Sequence, residues 1–207
     1  MRALLYKDLR NLRRYISQLL LICLAFGLLF GISNGNLSFI AGYAAMLSLM
    51  ILLNSMAYDE QCGWYRCALT MPLSRKMLVG SKYLLGLLAV GGGAVFSLLL
   101  SVMGSFFFPV SPLEALAATG SCSCIALIFI AILTPLLFRY GTEKTRLLMT
   151  LIFVLPFLLI LFLDRLGLPM PSEEMVTGML IALPFVTAAV YLLSFLLSVR
   201  IFRMRLP

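Results

Sequence analysis

No histidine occurs anywhere in the 207 residues. A serine–histidine triad is thereby excluded, and a metal site is disfavoured with it. Charge is scarce too: 12% of residues are charged against 62% hydrophobic, far from the balance of a soluble domain. The scarcity is concentrated in five runs with no charge at all, Tyr15–Tyr58, Tyr83–Leu113, Ala115–Phe138, Leu147–Leu163 and Met175–Val199. Carriers driven by ion gradients need ionisable groups inside the bilayer, so that class is disfavoured. A phosphate-cradling loop is absent as well, because Val79-Gly80-Ser81-Lys82 lacks the upstream glycine and the strand such a loop requires. Of the cysteines Cys23, Cys62, Cys67, Cys122 and Cys124, none falls in an expected outer loop, and no structural disulfide is expected.

What remains is hydrophobic length and a biased distribution of basic residues. A crossing needs about 20 apolar residues. The first run has 44 residues and is interrupted by Ser33-Asn34-Gly35-Asn36, so it accommodates two crossings and the total is six. A basic start before an apolar stretch could also be a signal peptide. The run is too long for one, however, and no small-x-small cleavage site ends it. Of 16 Lys and Arg residues, only Arg165 falls on one side of this layout. Arg2, Lys7, Arg10, Arg13 and Arg14, then Arg66, Arg75, Lys76 and Lys82, then Arg139, Lys144 and Arg146, and finally Arg200, Arg203 and Arg205 fall on the other. Basic residues near span ends mark the cytoplasmic side, which puts both termini inside. The net charge of +8 flanks spans rather than forming one patch, so it reads as topology and lipid contact, not nucleic-acid binding.

Two stretches outside the spans carry a helical period. In residues 2–16, Leu5, Leu9, Leu12 and Ile16 recur at spacings of four, three and four, which predicts an interfacial helix. In the connection 58–82, Asp59 can cap a helix that Pro72 ends near Met71. Trp64, Cys67, Ala68 and Met71 then share one face, with Asp59, Gly63, Arg66 and Thr70 opposite. An inert basic loop is the plainer alternative for this stretch. Small residues recur as Gly27 and Gly31 in the first span, and as Gly93, Ser97, Ser101 and Ser105 in the third. Such stripes permit close helix packing within or between subunits. Pro135, Pro156 and Pro184 can kink their spans.

The stretch Asp59-Glu60-x-x-Gly63-Trp64, followed by Met71-Pro72-Leu73-Ser74-Arg75 and Lys82-Tyr83-Leu84, resembles the membrane subunit of small bacterial type-2 ATP-binding-cassette exporters. Lys7-Asp8-Leu9 is similar to the start of those permeases. Met71 departs from their usual leucine, and cysteines flanking Gly63 are unusual there. The resemblance implies a single all-α membrane domain over 1–207, with six transmembrane helices and both ends inside. Residues 2–16 would be the connecting helix, involving Lys7, Arg10, Arg13 and Arg14. Residues 59–71 would be the cytoplasmic coupling helix between spans two and three, with Asp59, Glu60, Gly63, Trp64 and Arg66 facing or supporting a separate ATPase. The chain itself would be non-catalytic and bind no cofactor, ATP and Mg being held by two ATPase copies. A second permease, identical or a paralogue, would complete the unit in the bacterial plasma membrane.

By the same resemblance the cargo is an amphipathic or hydrophobic peptide of toxin or antimicrobial type, moved outward. Phe106, Phe107 and Phe108 offer a candidate outer gate. A lipophilic drug would suit the same apolar surface. A non-transporting immunity or sensor protein would also explain the charge asymmetry, though not a capped amphipathic helix at this place.

Overall fold

The computed structural model describes residues 2–34, 38–71, 74–104, 112–165 and 173–205. They form seven helices: α1 (Arg2–Asn34), α2 (Ser38–Gln61), α3 (Trp64–Thr70), α4 (Arg75–Gly104), α5 (Pro112–Tyr140), α6 (Thr142–Arg165) and α7 (Glu173–Arg205). Among the described residues there is no strand. Among the described residues, four helices are long and apolar enough to cross a bilayer: Phe39–Gln61, Arg75–Met103, Leu113–Tyr140 and Gly178–Phe202. The helices expected to hold spans one and five, α1 and α6, are not among these four. Charges crowd the start of each: Lys7 to Arg14 in α1, and Glu143, Lys144 and Arg146 in α6.

The centre of the bundle is α2, packed on α4, α5 and α1, while α5 packs closely on α7. Leu52, Met56, Val79, Leu85, Ile130 and Leu133 form its continuous apolar core. Large apolar side chains such as Leu21, Leu99, Leu147 and Phe185 are instead exposed, as expected for surfaces that face hydrocarbon. Gly93 sets the distance between α2 and α4. A Cβ there would lie 2.7 Å from the Ser48 hydroxyl and 3.2 Å from the Ala44 carbonyl. One turn on, Ser97 reaches Thr119 of α5 at 3.4 Å, so the small-residue stripe of α4 serves packing within this chain. At the other flank Tyr83 joins α4 to α7 through Ser194 (2.6 Å) and Ser198 (2.7 Å), and Tyr191 donates back to the Tyr83 carbonyl at 2.6 Å.

Two boundaries differ from expectation. No break separates residues 2–16 from the apolar segment that follows, because α1 is one helix of 33 residues, about 50 Å long. Its buried stripe in the first half is Leu4, Asp8 and Leu12, while Leu9 is exposed. A hydropathy pattern passes over Asp8, yet that side chain is drawn inward by an ion pair. The helix expected over 59–71 is shorter, Trp64–Thr70, since α2 runs through Asp59 and Glu60 to Gln61. Asp59 therefore lies in the last turns of α2 and caps nothing. Gly63, at φ 61°, makes the turn between the two helices, a conformation that glycine adopts without cost.

Candidate functional site

Four charged side chains meet where α1, α2 and α4 begin or end. Lys7 Nζ approaches Asp59 Oδ1 at 2.6 Å and Asp8 Oδ1 at 3.1 Å. Lys82 Nζ approaches Asp8 Oδ2 at 2.9 Å and Asp59 Oδ2 at 2.5 Å. Each carboxylate is thus shared by both ammonium groups, and the four charges close a neutral ring. The contact between Lys82 and Asp59 Oδ2 is an ion pair outside hydrogen-bonding geometry. Lys82 also donates to the Ser55 hydroxyl at 2.7 Å. Asp8 and Lys82 are each 3% exposed and Asp59 6%, whereas Lys7 is 23% exposed. Charges so deeply buried persist only when paired, and removing one partner leaves an uncompensated ion. The ring ties residues 52 and 74 positions apart in sequence.

The short helix α3 sits against this ring. Lys7 Nζ lies 4.3 Å from the centre of the Trp64 ring, a cation–π contact. On the next residue, the Tyr65 ring meets Phe138 of α5 at 6.0 Å and Phe202 of α7 at 5.9 Å, both edge-on. Phe138 and Phe202 themselves pack at 5.4 Å. Ala68 is fully buried one turn later. The inward face of α3 is therefore Trp64, Tyr65 and Ala68. Cys67, Thr70 and Met71 face outward. Cys67 and Met71 had been expected on the buried face, but Tyr65 takes the inward place because aromatic partners from two other helices wait there.

The Tyr65 hydroxyl is buried and has no hydrogen-bond partner among the described residues. Burial pushes its pKa well above the ordinary value, and the nearby Asp59, Asp8 and Glu60 push it further the same way. The group is a neutral donor without an acceptor.

Glu60 serves the opposite side of the same corner. Its Oε2 accepts the Thr142 backbone N–H at 2.6 Å, from 82 residues away, and so caps the first turn of α6. Gly141, at φ 83°, lies so close that a Cβ would collide with this carboxylate. The end of α2 consequently fixes where α6 starts.

Of the residues singled out by sequence, Lys7 and Asp59 enter the ring, Glu60 caps α6, Gly63 makes the turn and Trp64 lies beneath Lys7. Arg10, Arg13 and Arg14 are exposed on α1. Arg66 lies in α3, but its side chain is outside the described residues, as are Phe106, Phe107 and Phe108. Sequence reasoning missed the partnership of Asp8 with Lys82, and Ser55 and Tyr65 altogether. A usable signal existed: in a chain with 8 acidic residues, two of them at helix ends deserve basic partners. The cysteines are free, and no cluster of metal-ligating side chains occurs among the described residues.

A family model described as ABC-2 family transporter protein matches residues 3–203. Comparison with curated proteins and with solved structures finds no match.

Proposed function

The chain belongs to the ABC-2 transporter family, and from that premise we propose that it is the permease of an exporter whose ATPase engages α3. Family membership makes it a multi-pass membrane transport component of the plasma membrane, with ATP hydrolysis carried out by a separate cassette subunit. The reading adds six spans, the two beyond the four above being α1 after Arg14 and α6, and both termini in the cytoplasm. It also adds a working unit of two permeases and two ATPases.

The observation that carries the proposal is the position of α3. Its outward face, Cys67, Thr70 and Met71, is open to a partner. Its inward face touches α1 through Lys7 and Trp64, α5 through Phe138, and α7 through Phe202. It joins α2 through the Gly63 turn. A displacement imposed on α3 would reach four long helices at once, as rigid-body coupling demands. The exposed basic side chains Arg10, Arg14, Lys76 and Lys144 suit a cytoplasmic, lipid-adjacent surface.

For cargo we favour amphipathic or hydrophobic peptides moved outward. The long runs Tyr83–Leu113, Ala115–Phe138 and Met175–Val199 hold no charged side chain, and the bundle's polar groups include hydroxyls already bonded within it, such as Ser48, Thr134 and Thr187. A desolvated ion or sugar would find no compensation there. The test is the ATPase activity of the permease and its cassette partner reconstituted in liposomes, challenged with amphipathic helical peptides and, separately, with small lipophilic cations. Stimulation by peptides is the expected result. Stimulation by cations alone replaces the peptide reading with a lipophilic-compound exporter, and failure of the two subunits to associate rejects the permease assignment.

A further inference from the structure

A groove of about 410 Å³ runs between α1, α2 and α4, on the side of the bundle away from α5 and α7. From α1 it takes Leu9, Ile16, Leu20 and Cys23, and from α4 a strip that begins at Leu85 and ends at Leu99. Ser48 contributes the one polar side chain of the lining. Its hydroxyl is already engaged with the carbonyls of Ala44 at 2.9 Å and Ala89 at 3.0 Å. The groove thus offers no free hydrogen-bonding side chain to an occupant.

Dimensions decide what fits. Leu85 to Leu99 spans about 21 Å of helix, and the described volume spread over that length gives a mean cross-section of about 20 Å². A helix about 10 Å across needs roughly 80 Å², so a helical peptide or a helix of a second copy rests at most on the open mouth of the groove without filling it. A single hydrocarbon chain can lie within it, and the length exceeds the ~15 Å depth of one leaflet's hydrocarbon.

The charged end supplies a headgroup partner. The Asp8–Lys82 contact of 2.9 Å puts Leu9 of α1 level with the start of the α4 strip at Leu85. Arg13 follows Leu9 by four residues and precedes Ile16 by three, which places it on the same stripe of α1 as these two lining residues. It is exposed, and no acidic partner meets it among the described residues. Five residues beyond Asp8 it stands about 7.5 Å above the ion ring, with a stem long enough to return its guanidinium to the interface. The ring itself is neutral and adds no competing charge.

We infer that this groove binds one acyl chain of an anionic phospholipid from the leaflet at the charged end, with the lipid phosphate held by Arg13. The bound chain completes the wall that α1, α2 and α4 leave open, and it couples the bundle to the charge of its membrane. Gly92 gives the discriminating variant, since it lines the groove and a Cβ on it meets nothing within 4 Å.

The experiment uses the full-length permease in nanodiscs of phosphatidylcholine doped with phosphatidylglycerol or phosphatidylcholine spin-labelled near one chain end. Wild type is expected to immobilise one label per chain, with phosphatidylglycerol preferred about fivefold, the preference one basic residue gives near an anionic surface. Gly92→Leu fills the groove and abolishes the immobilised fraction. Leu88→Trp, at an exposed lining position, repeats that test should the first variant fold poorly. Arg13→Gln leaves the chain bound but brings the two lipids to parity, while Lys144→Gln on α6 changes nothing. Free glycerophosphoglycerol does not compete. An immobilised fraction unchanged by both filling variants overturns the inference, as does parity in wild type. Loss of permease self-association with lipid binding intact in Gly92→Leu also overturns it, because a second copy then occupies the groove.

Discussion

Deleting one member of the buried ion ring should be costly, and deleting an acid and a base together should cost less than the two single deletions summed. Asp8→Asn leaves Lys7 and Lys82 facing a single carboxylate, and Lys82 is only 3% exposed. Lys82→Met leaves Lys7 between two carboxylates and strands the Ser55 hydroxyl that accepts its 2.7 Å hydrogen bond. Breaking a buried pair in this way costs about 3–5 kcal/mol. For a chain of this size, that corresponds to a fall of roughly 6–20 °C in melting temperature. The double variant Asp8→Asn/Lys82→Met keeps the 2.6 Å Lys7–Asp59 pair, which is neutral alone. Its loss should therefore fall short of the sum of the singles by about 0.5–3 kcal/mol, the range for directly interacting residues. The assay is thermal unfolding of the purified permease in detergent, followed by the burial of its single tryptophan. Strict additivity, or single variants within about 0.5 kcal/mol of wild type, would refute the ring as a coupled unit.

Three further outcomes follow from the same corner and its neighbours. Tyr65→Phe should be neutral or raise stability by up to about 1–3 kcal/mol, since it removes a buried hydroxyl without a partner; a clear fall in melting temperature would show that the hydroxyl is satisfied. Glu60→Ala should loosen the first turn of α6 by about 0.5–2 kcal/mol, read as faster amide exchange at Thr142 and Thr145, with α4 unaffected. Gly93→Ala should lower the melting temperature because its Cβ meets Ser48 and Ala44, and adding Ser48→Ala should recover only part, the Ala44 carbonyl at 3.2 Å remaining in place.

Hydrophobic run length made most of the helices legible, because an uncharged stretch of some twenty residues has few other fates. It said less about α1, where five basic residues precede the apolar half and a seam between them was expected. Nothing in Leu12 to Phe26 breaks a helix, with neither proline nor glycine present, and the chain simply continues. The connecting helix after α2 was legible in kind but not in register. Asp59 reads as a cap from local propensity, yet its carboxylate belongs to Lys7 and Lys82, which lie 52 and 23 residues away in sequence. Tyr65 went unnoticed for a similar reason, since its partners Phe138 and Phe202 come from the ends of α5 and α7. Long-range pairing of this sort leaves no periodic trace in a single sequence.

The most direct test of the central claim addresses the outward face of α3. Cys67→Glu/Thr70→Lys changes two exposed side chains and touches neither the ring nor Tyr65. Co-purification of the permease with its cassette ATPase from membranes, with melting temperature as the control, gives the answer. Retained stability with at least a tenfold loss of bound ATPase is the result predicted if α3 is the docking element. Undiminished ATPase binding at undiminished stability would contradict it.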